Sequence, residues 1–300
     1  MKIALIGNSY FAKLLAKQLN AFDTKNSYVF YDTNAKKIDK IKFFLSIAFI
    51  DTLYSVGASV SDGGALRLAL KFRKKIVQHF IGSDVLTAVE DFKNERINQD
   101  LLAHSHYLCE VDWIQSELAA IGIKADVASI AIYDKEVQPQ LPESFSVLSY
   151  MGKGKEEFYG MEDFIALAAA FEDVTFKVAG IDSYEKALPK NIKLLGWVDM
   201  DREFQNSVCF IRNAKHDGLA FSILEALGYG KIVFYNYKFP YTHYFSDRND
   251  LIHQLSEVKN QFTENKVKIN YEAVDFIKKE YSKNKVLGNL VKILTSKEKR

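Results

Sequence analysis

Short β-branched and aromatic runs alternate with helix-length apolar patterns along almost the whole chain, and few folds absorb that order. Strand, helix and strand in succession signal parallel sheets with crossover helices packed on their faces. The first series reads as strands at 2–6, 27–31, 51–57, 75–80, 104–109 and 126–132. Helices at 9–20, 34–48, 63–73, 84–93 and 111–121 lie between them. At 133–143 the pattern breaks, where charges and two of the four prolines gather. Such a segment reads as a linker. A second series follows, with strands at 145–150, 174–179, 192–195, 207–211 and 231–235 and helices at 160–171, near 200–205 and at 219–229. Three more helical segments, near 247–258, 269–280 and 283–296, finish the chain.

The pattern predicts an α/β protein of two Rossmann-like domains facing a cleft. Residues 1–135 form the first domain, 136–143 the linker and 144–268 the second. The helices of 269–300 could pack back on the first domain. In open sheets of this kind ligands bind beyond the carboxyl ends of the strands, so both domains aim loops at the cleft.

Composition narrows the function classes. Forty Lys and Arg against 38 Asp and Glu give a net charge of +2, too small a bias to argue for nucleic acid. The two cysteines, Cys109 and Cys209, sit in apolar strand-like runs and read as buried thiols. His104 and His106 alternate on a strand-like run and read as strand residues rather than a metal pair. No Cys/His spacing suits zinc. The opening MKIALIG enters a strand with too short an apolar run for a signal peptide, and no window approaches a membrane span. The expected location is cytoplasmic. The Lys-rich tail ending at Arg300 reads as solvated, with a weak contact at the inner membrane face as its alternative.

The richest stretch for chemistry runs from Arg212 to Lys231. A strand enters it, a polar turn with Gly218 follows, and a helix begins near Leu219. Free backbone N–H groups at such a helix start can hold a phosphate. Asp217 and Glu225, eight positions apart, have the polarity to hold hydroxyls of whatever the phosphate carries. The combination points to a nucleotide-sugar site. Each carboxylate also has an ordinary reading, Asp217 as the helix N-cap and Glu225 as a solvated helix residue. Gly218, Gly228 and Gly230 suit either a ligand or a tight crossover.

This segment resembles the signature of GT-B fold retaining glycosyltransferases of family 4, the group 1 glycosyltransferases. Their motif is an acidic residue, seven others, then glutamate, alanine, an apolar residue and a small-residue turn. Asp217 through Glu225-Ala226-Leu227-Gly228 fits that register, although glutamate is usual at the place of Asp217. The resemblance implies transfer of a sugar from a UDP- or GDP-linked donor to an acceptor hydroxyl, with retention and without a metal. No cofactor is expected. Glu225 would hold the donor ribose, Asp217 the donor sugar, and backbone near Gly218, Leu219, Phe221 and Ser222 the diphosphate. Lys153 and Lys155 follow a strand where the family places a basic residue, with Arg212 a competing candidate. Leu195-Gly196-Trp197-Val198 resembles the strand end beside the nucleotide base. His79, Asp217 and Arg212 are the catalytic candidates. Gly82, Ser83, Asp84 and His216 are candidates for the sugar or acceptor side. The acceptor class is carbohydrate or glycolipid.

The first domain offers a rival. Gly7-Asn8-Ser9 follows a strand and opens a helix, a place for phosphate or merely a tight turn, and the three are further candidates for the donor site. With Ala12 and Asp32 it nearly matches a dinucleotide fingerprint, which would make the chain an NAD-dependent oxidoreductase. Ser9 stands where that fingerprint needs glycine. A non-catalytic nucleotide-sugar-binding relative is the third reading.

Overall fold

The computed structural model describes residues 1–61 and 63–296. The basic end of the tail, 297–300, lies outside the described residues. The chain divides into two compact units, Met1–Ile132 with the chain from Lys283, and Tyr133–Ser282.

In the first unit the elements are β1 (Lys2–Gly7), α1 (Ser9–Phe22), β2 (Ser27–Phe30), α2 (Lys37–Ser46) and β3 (Thr52–Val56). A 3-10 turn at Ile47–Phe49 joins the last two. Next come α3 (Gly64–Lys71), β4 (Lys75–Phe80), α4 (Asp84–Lys93), α5 (Gln99–His104), β5 (Ser105–Cys109), α6 (Asp112–Ala120) and β6 (Ala125–Val127). All six strands are parallel, in the order β2-β1-β3-β4-β5-β6. The strand sequences explain the layering. Along β1, Ile3 and Leu5 face one core with α1, while Ala4 and Ile6 face another with Phe43 and Ile47. A strand buried on both faces is mostly apolar, as β1 is from Ile3 to Ile6. The last helix, α12 (Lys283–Thr295), adds Leu287, Leu290 and Leu294 to the α1 side.

The second unit holds β7 (Ser146–Tyr150), α7 (Met161–Ala170), β8 (Thr175–Ala179), β9 (Ile192–Gly196), α8 (Met200–Gln205) and β10 (Cys209–Arg212). It continues with α9 (Phe221–Gly228), β11 (Ile232–Tyr235), β12 (His243–Tyr244), α10 (Arg248–Thr263) and α11 (Tyr271–Glu280). Its sheet is also six-stranded and parallel, in the order β12-β11-β10-β7-β8-β9. From β7 the chain builds outward through β8 and β9, then returns to lay β10 and β11 on the other side. The switch point falls between β7 and β10, where loops leave in opposite directions and open a crevice. The expected α/β class with two Rossmann-like domains is the observed one. Both cysteines are free and buried, one in each unit.

Several boundaries differ from the sequence reading. Helix α2 starts at Lys37 because Asp32 first closes a turn by accepting the Ala35 N–H (3.1 Å). His104 ends α5, a helix the sequence pattern did not reveal, so it is no strand residue. Strand β6 stops at Val127, although Ile130 and Ala131 beyond it are buried.

Candidate functional site

In the second unit, two loops leave the switch point. One follows β7 and carries Gly152, Lys153, Gly154 and Lys155; the other follows β10 and carries 213–220. Of the sequence-derived donor residues, Lys153, Lys155, Gly218, Leu219, Phe221, Ser222 and Glu225 lie on these two loops and on the helix that the second one opens, whereas Gly7, Asn8 and Ser9 lie in the first unit.

A buried clasp organises the β10 loop. Arg212, the last residue of β10, reaches Asp217 in a two-point fork, Nε to Oδ2 at 2.7 Å and Nη2 to Oδ1 at 3.0 Å. Tyr235 Oη donates to Asp217 Oδ2 and lies equally close to the Gly218 carbonyl, both at 3.2 Å. Burial works against the Arg212 charge, but the neighbouring carboxylate outweighs it and the guanidinium stays charged. Its flat face covers the Tyr159 ring at 4.5 Å. Asn236 accepts from the Ala214 N–H and donates to the Ala214 carbonyl, and Lys215 N–H donates to Phe158 O. The last of these ties the β10 loop to the β7 loop. His216 is buried within this frame.

Asp217 is not the N-cap residue of α9. The N-cap position is Ala220, with no side-chain cap bond. The first N–H groups of the helix carry the positive end of its dipole. Lys153 and Lys155 are exposed in the neighbouring loop. Lys153 Nζ lies 3.1 Å from Asp182 Oδ1, a residue just beyond β8. The loop after β7 thus carries two exposed cations, and Arg212 is a third, fixed one at the end of β10.

Glu225 stands in the second turn of α9. Its Oε1 meets Lys135 Nζ at 2.6 Å, and the same ammonium bonds Asp201. Lys135 comes from the segment read as a domain end and linker, and it packs with the second unit. Two of the glycines have packing reasons. A Cβ at Gly228 would overlap the Tyr133 ring, and one at Gly230, whose φ is +67°, would come within 2.6 Å of Ile269. Trp197, at the carboxyl end of β9, is 84% exposed.

Other sequence candidates lie in the first unit and are engaged locally. Asn8 caps α1, its side chain accepting from Tyr10 N (3.2 Å) and Phe11 N (3.3 Å). Gly7, at φ +102°, has no room for a Cβ because the Val56 carbonyl lies against it. Ser9 begins α1. Ser83 makes no cap bond; Asp84 instead accepts from Ala58, Ile81 and Gly82 N–H groups at 2.8–3.1 Å.

His79 is fully buried, with Nδ1 2.7 Å from Tyr54 Oη and Nε2 3.4 Å from Glu110 Oε1. Burial lowers its pKa to about 3 and raises that of Glu110 to about 8, so both groups are neutral near pH 7.

Sequence reasoning missed Lys135, Tyr159, Asp182 and Tyr235. Tyr235 ends a strand beside β10, a position that could have flagged it. Among the described residues, no three or more His, Cys, Asp or Glu side chains group to hold a metal ion. A hollow of about 520 Å³ is lined by Glu143, Asp173, Lys259 and Phe262, at the amino ends of β7 and β8. That is the opposite end of the sheet from the crevice, and the topology favours the carboxyl end.

No family model matches the chain, and no curated protein matches it by sequence. Solved structures do match by shape. HepE from Anabaena, solved in complex with UDP, superposes with a TM-score of 0.74 at 12% identity, covering 99% of this chain and 100% of that one. A glycosyltransferase from Rickettsia africae gives 0.70 at 12%, with 98% and 97% covered. The pneumococcal O-GlcNAc transferase GtfA, solved with UDP and GlcNAc, gives 0.60 at 14%, with 85% and 59% covered. This chain spans little more than half the length of GtfA and of TarM, of which it covers 55%. At such identities the likeness establishes the fold: the two six-stranded units make the GT-B fold of glycosyltransferases.

Proposed function

We propose that the protein transfers a sugar from a nucleotide-diphosphate sugar to an acceptor hydroxyl, with retention of anomeric configuration and without a metal ion. One observation carries the reading. Helix α9 opens beyond the β7–β10 switch point with no side-chain bond from its N-cap residue, the loop after β7 carries two exposed lysines, and two acidic residues keep the family's spacing, in a fold shared with UDP-bound proteins.

The chemistry follows from charge. Breaking the bond between sugar and diphosphate leaves negative charge on the leaving group. The α9 amides with Lys153 and Lys155 supply positive potential there. Arg212 acts from behind: its fork fixes Asp217 and so the shape of the 213–220 loop, where the sugar hydroxyls would meet the Asp217 edge and His216. Glu225 takes the ribose hydroxyls, and binding then shares or displaces the Lys135 contact. Trp197 offers an exposed face to the base. Retention rests on the resemblance, in which the leaving phosphate helps deprotonate the acceptor on the same face. That route requires no protein base, and His79, interior and neutral, is available only to shape the acceptor side with Gly82, Ser83 and Asp84.

The test is a thermal-shift screen of nucleotide diphosphates followed by turnover. A ligand that binds only the folded state raises its melting temperature by mass action. UDP or GDP should do so, and the matching nucleotide sugar should release nucleotide diphosphate when acceptor sugars are added. Stabilisation by NAD alone would overturn the reading in favour of an oxidoreductase. Binding without turnover across acceptor pools would leave a binding protein.

A further inference from the structure

Helix α2 and the turn after it present an apolar face outward. Ile38, Ile41, Phe44, Leu45 and Phe49 are 59–75% exposed. Among the described residues these are five of the fifteen large apolar side chains left exposed, and they fall within twelve positions. Singly scattered exposed apolar residues are ordinary; a contiguous face is not. The spacing makes it a face. Ile38, Ile41, Leu45 and Phe49 follow at intervals of three, four and four, one side of a helix, while Phe43 and Ile47 point the opposite way into the core.

Lysines predominate along the face, although Asp51 just past the turn is also exposed. Lys36, Lys37, Lys40 and Lys42 are all exposed along the helix. Lys74 comes from beyond α3 to donate to the Ala48 carbonyl at 3.0 Å. The helix's one acid, Asp39, is turned back to accept the Asp32 N–H at 3.1 Å.

The geometry points to α2 and its following turn as a docking surface for an anionic lipid bilayer, with the apolar side chains inserted at the level of the acyl boundary and the lysines at the headgroups. An apolar stripe edged by lysines is the pattern of a helix lying in the membrane interface. A second protein copy would offer the same lysines to these lysines, which repel; anionic headgroups complement them. No described helix is long and apolar enough to cross a membrane, so the contact is with one leaflet. The proposal does not depend on the reading of the donor site.

The test is co-sedimentation of the full chain with vesicles of phosphatidylcholine alone and with about one third phosphatidylglycerol. Binding should appear with the anionic vesicles and fall as salt is raised. Replacing Ile41, Phe44 and Leu45 together by Ser should weaken it at least about tenfold. Replacing Lys37, Lys40 and Lys42 by Gln should weaken it by about fivefold per lysine. All six side chains are exposed, so the melting temperature should hold. As an independent readout, Phe44→Trp should shift its emission to the blue on anionic vesicles. Equal binding to neutral vesicles, no binding to either, or unchanged binding by the Ser variant would overturn the proposal. So would concentration-dependent dimers in sedimentation velocity that the Ser variant abolishes, since a second copy would then cover the face.

Discussion

Two helices of this protein open just past a strand with a glycine nearby, and they end up as different objects. Helix α1 follows Gly7 at once, and Asn8 folds back on the first turn to take two of its amides. Helix α9 follows an eight-residue loop, and that loop's acid, Asp217, turns away from the helix to Arg212. The first helix satisfies itself. In the second, the N-cap residue Ala220 makes no side-chain cap bond. A glycine-flanked helix start becomes a candidate phosphate site only where the chain does not cap it, and the choice lies in where one short polar side chain points.

The comparison can be broken most forcefully at the clasp. Arg212→Ala leaves the largely enclosed Asp217 carboxylate with Tyr235 but without its cation, a loss of up to about 3–5 kcal/mol. Urea unfolding should show it, and a change under about 1 kcal/mol would mean the loop is held by something else. Next, Lys153→Ala with Lys155→Ala should weaken nucleotide-diphosphate binding by about tenfold or more, because charge-assisted bonds to phosphate are lost. Unfolding should hardly move, since both lysines are exposed. An unaltered affinity in a calorimetric titration would remove the β7 loop from the site.

The same contrast extends to buried charge. Asp217 has a cation beside it, whereas Glu110 is buried with His79 and stays protonated. Between pH 4.5 and about 8 the unfolded chain ionises Glu110 while the folded chain does not, so this group alone makes stability fall as pH rises. Between about 3 and 6.5 the unfolded chain protonates His79 while the folded chain does not, so this group makes stability rise with pH. Together they predict a rise from about pH 3 to 4.5, a plateau to 6.5 and a decline to about 8. Denaturation curves across that range, in wild type and His79→Phe/Glu110→Leu, check it; a wild-type profile shared by the double variant sinks it. The smallest effect belongs to α1. Asn8→Ala should cost about 1 kcal/mol of stability and leave nucleotide binding intact. A loss of nucleotide binding there would mean that α1, and not α9, is the phosphate site.

The fold was largely legible because both sheets are buried on two faces, so a strand such as β1 carries an unbroken apolar run from Ile3 to Ile6. Short elements escaped: β12 has two residues, and α5 six, too few to establish a period. In the site, the register of Asp217 and Glu225 could be read, but their partners could not. Lys135 lies ninety positions before Glu225, and nothing local announces that they meet. Asp217 was readable as a helix cap because its spacing from Leu219 allows one; a bidentate guanidinium five residues upstream competes better than a backbone amide. The outward apolar face of α2 escaped for a related reason. Its sequence is apolar on several sides, and only packing decides which side is left over.

The central claim is that a nucleotide diphosphate binds at the α9 entry. Calorimetric titration of UDP and GDP into wild type, Glu225→Ala and Asn8→Ala tests it most directly. The account predicts that one of the two nucleotides binds the wild type, that Glu225→Ala weakens it at least about tenfold, and that Asn8→Ala leaves it unchanged. Neither nucleotide binding, or loss of binding in Asn8→Ala with Glu225→Ala unaffected, would contradict it.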